Sequence, residues 1–520
     1  MADDAGMIRL DGSYLEGGGQ ILRLALSIAS VTGRSVEVNK IRANRASKSL
    51  FSKHKGANAA KSTSEGATGS RKKSEGGGLK SSHLASADFL ARATSATTEG
   101  LEIGSLNLQY SPRPSSDSPF DLRVPGGGVW TDIYGIPPAS KSNLSPDTKT
   151  LVRRESTIAL SSPGSVTLIL QAILPWLLFG SPSSPPPALD SSSSPTSSDP
   201  PDPTRPIPLT ITLHGGTNVT SAPSYDYTTQ VLLPLLNFHL FPSPHGSPPT
   251  ITSHLHTRGW CFGRNQRPGR VSFTINPPHI GSTLPAFRFN EPGSLVKIHV
   301  TILALADADI QNLKHLVQEA VTAMWPTVAL EFSLCETTGD KAKLYLLLVA
   351  ETSSGYRLGR DRLHVPSPSA SRGGGKCGTK LKGQKQEIKA GVLDDIVLSV
   401  VTDLEGELKS GACVDEHMQD QLVVFQALAE GRSVVRGRGG SADHEDVRGK
   451  EHDVGNAEEA TLHTQTARWV AQTMLEDCGV VFGRDGSCVG AGVKAGMARA
   501  SREVEELTQE MGELDTDDRS

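Results

Sequence analysis

The sequence has no CxxC pair. Its six cysteines (Cys261, Cys335, Cys377, Cys413, Cys478 and Cys488) are scattered, which argues against a zinc site and against a secreted disulfide framework; a reducing compartment is the expectation. It also lacks a long apolar run. The longest, AILPWLLFG at 172–180, is far too short to span a bilayer, so no membrane association is expected. The N-terminal MADDAGMIRLDGS has no basic region followed by an apolar stretch, so no signal peptide is read there. Excess positive charge is missing as well: the formal net charge is −4 over 520 residues. A chain of that balance does not coat nucleic acid through wholesale counterion release, and any nucleic-acid contact must be local.

What is present is uneven. Segments 53–78, 112–155, 181–206 and 432–458 are rich in Ser, Pro, Gly or charge and bury too little apolar surface to offset the entropy of ordering them. They are read as disordered insertions, with an acidic tail over 501–520. Between them a short β-like run leads repeatedly into an apolar helix, as in MIRLDGSYLEGGGQILRLALSIASVTG (7–33) and SPGSVTLILQAILPWLLFG (162–180). Ile21, Leu22, Ala25, Ile28 and Ala29 keep helical spacing, and Gly33 is placed as a C′ residue. RSVEVNKI (34–41) and SLNLQYSP (105–112) read as strands. The pattern predicts an α/β or α+β layered architecture, with an extra layer over about 283–390.

Several short motifs carry candidate chemistry. EGGGQILR (16–23) places three glycines where a helix begins, with Glu16 before them and Arg23 one turn inside; free N–H groups there suit an anion, or the glycines only turn the chain. IRANR sets Arg42 and Arg45 after a strand, as phosphate grips or as a solvated pair. In HGGTNVTSAPSYDY (214–227), Pro223, Tyr225, Asp226 and Tyr227 offer the aromatic and polar mixture of a purine pocket or a capped helix start. In VDEHMQDQLVVF (414–425), Glu416 and Asp420 fall at i and i+4 on one helix face. Such carboxylates serve Mg²⁺, orient a histidine, or form a solvated acidic face. GGGKCGTK (373–380) lacks the GxxxxGK[ST] spacing and is set aside. His463 stands inside TLHTQTA (461–467), at the mouth of a predicted helix.

Taken in order, DGSYLEGGGQILR, IRANR, HGGTN with APSYDY, TRGW (257–260), AETSSG, VDEHMQDQL and TLHTQTA resemble the segments of the RNA 3′-terminal phosphate cyclase family. The resemblance implies a large domain of three repeated α/β units, similar to the C-terminal fold of a bacterial translation initiation factor, over 1–285 and 391–500. A smaller α/β domain would be inserted at 286–390. It also implies an ATP-dependent enzyme that converts an RNA 3′-phosphate to a 2′,3′-cyclic phosphate, with Mg²⁺ or Mn²⁺ as the divalent metal. His463 matches the nucleophile that becomes adenylated. By the same resemblance Glu16 serves the metal, and Arg23, Arg42 and Arg45 contact phosphates. Gln171, Pro223, Tyr225, Asp226, Tyr227 and Asp420 line the ATP site, with Asp420 supporting the metal or the histidine.

The implied partner is RNA with a 3′-phosphate end, and no stable protein partner is inferred. The implied location is nuclear, with the cytoplasm open. The sequence departs from the family pattern at Asn44, at Ser82 beside His83, and at 261–271. The alternative function is a cyclase-like ribosome-biogenesis factor that lacks the nucleophile, and the presence of His463 argues for the enzyme. An enolpyruvyl-transferase-like activity on a small-molecule phosphate fits Arg42, Arg45 and His463 poorly.

Overall fold

The computed structural model describes residues 6–43, 77–113, 131–135, 150–160, 164–180, 207–244, 247–263, 266–365, 390–438 and 460–496. The chain is mixed α/β, as the pattern of strands and helices predicts. The first sheet joins β1 (Ile8–Asp11), β2 (Val36–Asn39), β3 (Thr97–Glu99) and β4 (Leu108–Ser111) in the order β1-β2-β4-β3, with β1 and β2 parallel. The second joins β5 (Thr131–Gly135), β6 (Thr150–Ala159), β7 (Leu209–Gly215), β8 (Ile251–Thr257) and β9 (Gly269–Ile275) in the order β5-β6-β7-β9-β8. After β10 (Arg288–Phe289), a third sheet orders β11 (Leu295–Ala304), β12 (Ala329–Thr337), β13 (Tyr345–Thr352) and β14 (Arg357–Leu363) as β12-β11-β13-β14. The fourth is β10-β15-β17-β16, built with β15 (Glu430–Val435), β16 (Val481–Phe482) and β17 (Ser487–Ala491).

One strand falls inside 112–155, the segment that composition marks as a disordered insertion, and a second begins there and runs on to Ala159. β5 pairs antiparallel with β6, and β6 pairs parallel with β7 from Arg154↔Leu209 to Ala159↔His214. The charged Arg153, Arg154 and Glu155 conceal the strand, because they interrupt the apolar alternation by which a half-buried strand is read. Pairing with an apolar neighbour overrides that composition, and Arg154 is buried there at 1% exposure. β15 likewise covers the first residues of 432–458.

The helices explain where the site lies. α1 (Gly19–Thr32) is buried from Gln20 to Thr32 except at Arg23, so it is a central helix rather than a surface one. Gly33 ends it with φ 75° and donates its N–H to Ala29 O, the left-handed C′ expected of a glycine in that place. Packed against it are α2 (Ser81–Ala93) and α3 (Val166–Pro175, continued by wide turns to Gly180), and the helical stretch 225–240, called α4, joins the same apolar cluster. The same apolar cluster takes in α7 (Glu416–Leu428) and α8 (Leu462–Met474). A second cluster lies between the third sheet, α5 (Asp307–Met324) and α6 (Ala390–Lys409). It includes Leu393, Val397, Val400 and Leu404, so this unit's core continues past 390 through the whole of α6. No helix among the described residues is long and apolar enough to cross a membrane.

Candidate active site

Three segments far apart in sequence converge at the N-terminus of α1. The first is the loop 12–18, in which Gly17 has φ 56° and Gly18 is the N-cap, with no side chain capping the helix and no acidic residue in its first turn. The opening N–H groups of a central helix are therefore left without a side-chain cap, the arrangement that attracts phosphate. Gly19 must be a glycine for a steric reason: a methyl group there would overlap the ring of His83 and crowd Arg23 Nη1. The missing side chain brings the buried His83 against the helix start. Its Nδ1 accepts from the Lys80 backbone N–H at 3.4 Å and its Nε2 is the ring atom closest to Gly19.

The second segment is the start of α8. Thr461 is the N-cap, its hydroxyl accepting from Thr464 N at 3.2 Å, and Thr466 Oγ1 donates to Leu462 O at 2.6 Å while accepting from Glu16 N at 3.4 Å. The threonines of TLHTQTA fix the helix start and tie it to the glycine loop. His463, in the first turn between them, keeps an exposed ring with 57% of its side chain open to solvent.

The third segment is α7, which supplies Asp420. Gln20, the first buried residue of α1, connects it to the histidine: Gln20 Nε2 donates to Asp420 Oδ2 at 2.7 Å, and Gln20 Oε1 lies 2.8 Å from His463 Nδ1. Glu16 Oε2 is 3.1 Å from the same ring nitrogen. Next to this chain Arg23 Nε donates to Gln171 Oε1 at 3.0 Å, joining α1 to α3.

The electrostatics follow from this crowding. The neighbouring Glu16 carboxylate raises the His463 pKa above the ordinary 6.5, partial burial opposes the rise, and Asp420 adds to it. Burial pushes Asp420 up from 3.8 to about 6, with His463, Arg23 and Gln20 acting against the shift. Near neutral pH Asp420 is thus mainly a carboxylate, which only accepts hydrogen bonds. It therefore commits the NH₂ end of Gln20 and turns the amide oxygen toward the histidine. That oxygen in turn requires the proton on Nδ1, which leaves the Nε2 lone pair unprotonated in the neutral ring.

Of the residues singled out from sequence, Glu16, Arg23, Gln171, Asp420 and His463 come together here. Arg45 lies outside the described residues. Arg42 is 5% exposed, adopts φ 56° and donates from Nη1 to Gly78 O at 3.3 Å, so its guanidinium is turned onto backbone instead of standing out in solvent. The APSYDY residues carry buried structural contacts. Asp226 makes a two-pronged ion pair with Arg258 of TRGW, at 2.7 and 2.9 Å. Tyr227, 2% exposed, donates its hydroxyl to Asp415 Oδ1 at 2.6 Å. Asp415 is the buried N-cap of α7 and also accepts from Gly359 N, His417 N and Met418 N. Tyr225 is 9% exposed with its hydroxyl 3.2 Å from Ser253, and Pro223 O accepts from Thr167 at 2.6 Å.

Glu416, paired with Asp420 from its spacing, is held by Arg360 at 2.7 Å. The two carboxylates therefore have different partners and do not form one ligand set. Among the described residues no three His, Cys, Asp or Glu side chains gather as a metal cluster. Sequence reasoning missed Gln20: the only available signal was a polar residue placed directly after the glycines on an otherwise apolar helix.

The family model described as RNA 3′-terminal phosphate cyclase matches residues 14–478. An RNA 3′-terminal phosphate cyclase of Drosophila melanogaster is 24% identical over 434 residues, covering 83% of this chain and 86% of its own length. One from Pyrobaculum aerophilum is 26% identical over 432 residues, covering 82% and 87%. One from Methanosarcina acetivorans is 23% identical over 491 residues, covering 90% and 95%.

Proposed function

Since this chain belongs to the RNA 3′-terminal phosphate cyclase family, we propose that it is an ATP-dependent enzyme that closes an RNA 3′-phosphate into a 2′,3′-cyclic phosphate, with His463 as the group that carries AMP. The observation that carries this reading is the chain from Asp420 through Gln20 to His463 Nδ1. It presents Nε2 as the nucleophile on an exposed ring beside the start of α1.

The chemistry runs in three transfers. Nε2 attacks the α-phosphorus of ATP, and the bond to pyrophosphate breaks. A 3′-phosphate oxygen of the RNA then attacks the same phosphorus and displaces the imidazole, which leaves as a neutral ring with Nδ1 still protonated. Finally the ribose 2′-hydroxyl attacks the activated 3′-phosphorus, loses its proton, and AMP departs. Activation is needed because an unmodified phosphate oxygen is a poor leaving group. Arg23 and the opening N–H groups of α1 supply fixed positive character for the oxygens that gain charge. His83, buried against Gly19, backs the helix start where the RNA phosphate would bind.

ATP and a divalent metal belong to this proposal. Glu16, 3.1 Å from His463 Nδ1, and Asp420, on the far side of Gln20, are oxygen donors of the kind Mg²⁺ or Mn²⁺ prefers, and nucleotide phosphates and water would supply most of the shell. Such an ion would neutralise charge on the departing pyrophosphate. Pro223 and Tyr225 are assigned to the nucleotide side through their position on the segment that leads into α4. Action in the nucleus is likewise proposed, and imaging the tagged full chain in cells checks it. Uptake of label from α-labelled ATP by the wild type but not by His463→Ala tests the catalytic reading.

A further inference from the structure

Aromatic residues make up only 5% of this chain, and Tyr14 is spent on the surface, 49% exposed. Its ring stands against that of Trp469, with centroids 4.6 Å apart and planes inclined at 47°. The Tyr14 hydroxyl has no hydrogen-bond partner among the described residues, and Trp469 is itself only partly buried. An aromatic pair that served packing alone would bury the outer ring, since burial is its source of stability.

Its location is specific. Tyr14 is two residues before Glu16, and Trp469 is six residues after His463 on α8, roughly 9 Å along the helix axis. The hydrogen bond from Glu16 N to Thr466 Oγ1 fastens the two segments midway. The same loop continues to Gly12, whose carbonyl accepts from Arg42 N at 3.3 Å. Pro223 and Tyr225, assigned above to ATP, belong to a different element. Tyr14 thus shares its loop with the backbone contact to Arg42.

We propose that Tyr14, backed by Trp469, is a stacking platform for the base of the RNA's terminal nucleotide, whose 3′-phosphate is delivered to His463. This rests on the cyclase reading and adds to it how the RNA end is held. Stacking accepts every base because each has a π-face, and it does not depend on counterion release. Both properties suit a protein with a net charge of −4 that must hold RNA ends of varied sequence.

The test measures affinity of the full chain for two 3′-phosphorylated oligoribonucleotides, identical except that one ends in an abasic nucleotide. Wild type, Tyr14→Ala and Tyr14→Phe are compared, with circular dichroism to confirm folding. Wild type is expected to prefer the base-bearing end by roughly fivefold to a hundredfold. Tyr14→Phe keeps that preference and Tyr14→Ala loses most of it. Equal affinity of wild type for both ends overturns the proposal. So does a Tyr14→Ala variant that keeps the preference while its KM for ATP rises, which would assign the platform to adenine. Failure of the wild type to take label from ATP would sink the cyclase reading alone, because the comparison of base-bearing and abasic ends does not depend on turnover.

Discussion

His463 Nδ1 and Gln20 Oε1 stand 2.8 Å apart, and the far end of the same amide is committed to Asp420 at 2.7 Å. A residue buried in the first turn of the central helix thereby sets the tautomer of an exposed histidine more than four hundred residues away in sequence. The relation makes the histidine's reactivity depend on Gln20, a side chain to which no contact with ATP is assigned.

Gln20→Ala removes both hydrogen bonds and leaves Glu16, 3.1 Å from Nδ1, as the acceptor for that proton, so the ring is held less firmly. Net contributions of about 1 kcal/mol per bond translate into a drop of roughly tenfold to a hundredfold in the rate of adenylation. The KM for ATP should change little, and the time course of label uptake reports both. A normal rate in this variant would show that the amide does not position the ring.

Asp420 trades stability for this function. Its carboxyl has a folded pKa of about 6 against an unfolded 3.8, so between these values the folded protein holds the proton more tightly and stability falls as pH rises. Above about pH 6 the cost is complete, on the order of 3 kcal/mol, and below about pH 4 it vanishes. Asp420→Asn should therefore be the more stable protein at pH 8 and lose that advantage on acidification, while adenylating more slowly. Denaturant unfolding at a series of pH values checks the first part.

The sign at His463 is set by Glu16. A neighbouring carboxylate raises the histidine's folded pKa, so the pair stabilises the protein below the unfolded value of about 6.5 and that contribution is lost as pH rises through the folded pKa. Glu16→Gln should lower the value, which NMR titration of the ring in metal-free protein would register. An unchanged titration would contradict the pairing.

Much of this site was legible in short stretches of sequence, because each carries its own local chemistry. The glycines before α1, Gly33 after it, and the threonines around His463 act within a few residues, and a reader of sequence sees them. Gln20 was not legible, since its partners Asp420 and His463 are brought to it only by helix packing. Glu416 misled for the same reason: spacing places it beside Asp420 on the helix, but Arg360 of β14 claims it. β6 was hidden by Arg153, Arg154 and Glu155, whose strand conformation comes from pairing with β7.

Tyr227 and Asp226 give a way to separate fold from ligand contact. Tyr227→Phe takes one donor from the buried Asp415 and should cost about 1–3 kcal/mol of stability with little effect on the KM for ATP. Asp226→Ala leaves Arg258 with Glu336 as its remaining carboxylate, 2.8 Å from Nε, and should cost roughly 1–3 kcal/mol. Thermal unfolding alongside ATP kinetics distinguishes these structural losses from a lost nucleotide contact.

Gly19→Ala introduces a methyl group where the His83 ring already lies. Overpacking at a buried contact costs typically 1–3 kcal/mol, and here the displaced ring packs against the start of α1. The expected variant folds with a lowered Tm and closes RNA ends more slowly than it takes up AMP. Single-turnover assays of the two steps check it.

The most direct measurement incubates the full chain with α-labelled ATP and a divalent metal, then follows label on denatured protein for wild type and His463→Ala. Acid-labile label on the wild type, absent from the variant and released as AMP when RNA with a 3′-phosphate is added, is the result expected of a histidine adenylate on the path to a cyclic end. Label on neither protein, or equal label on both, would contradict it.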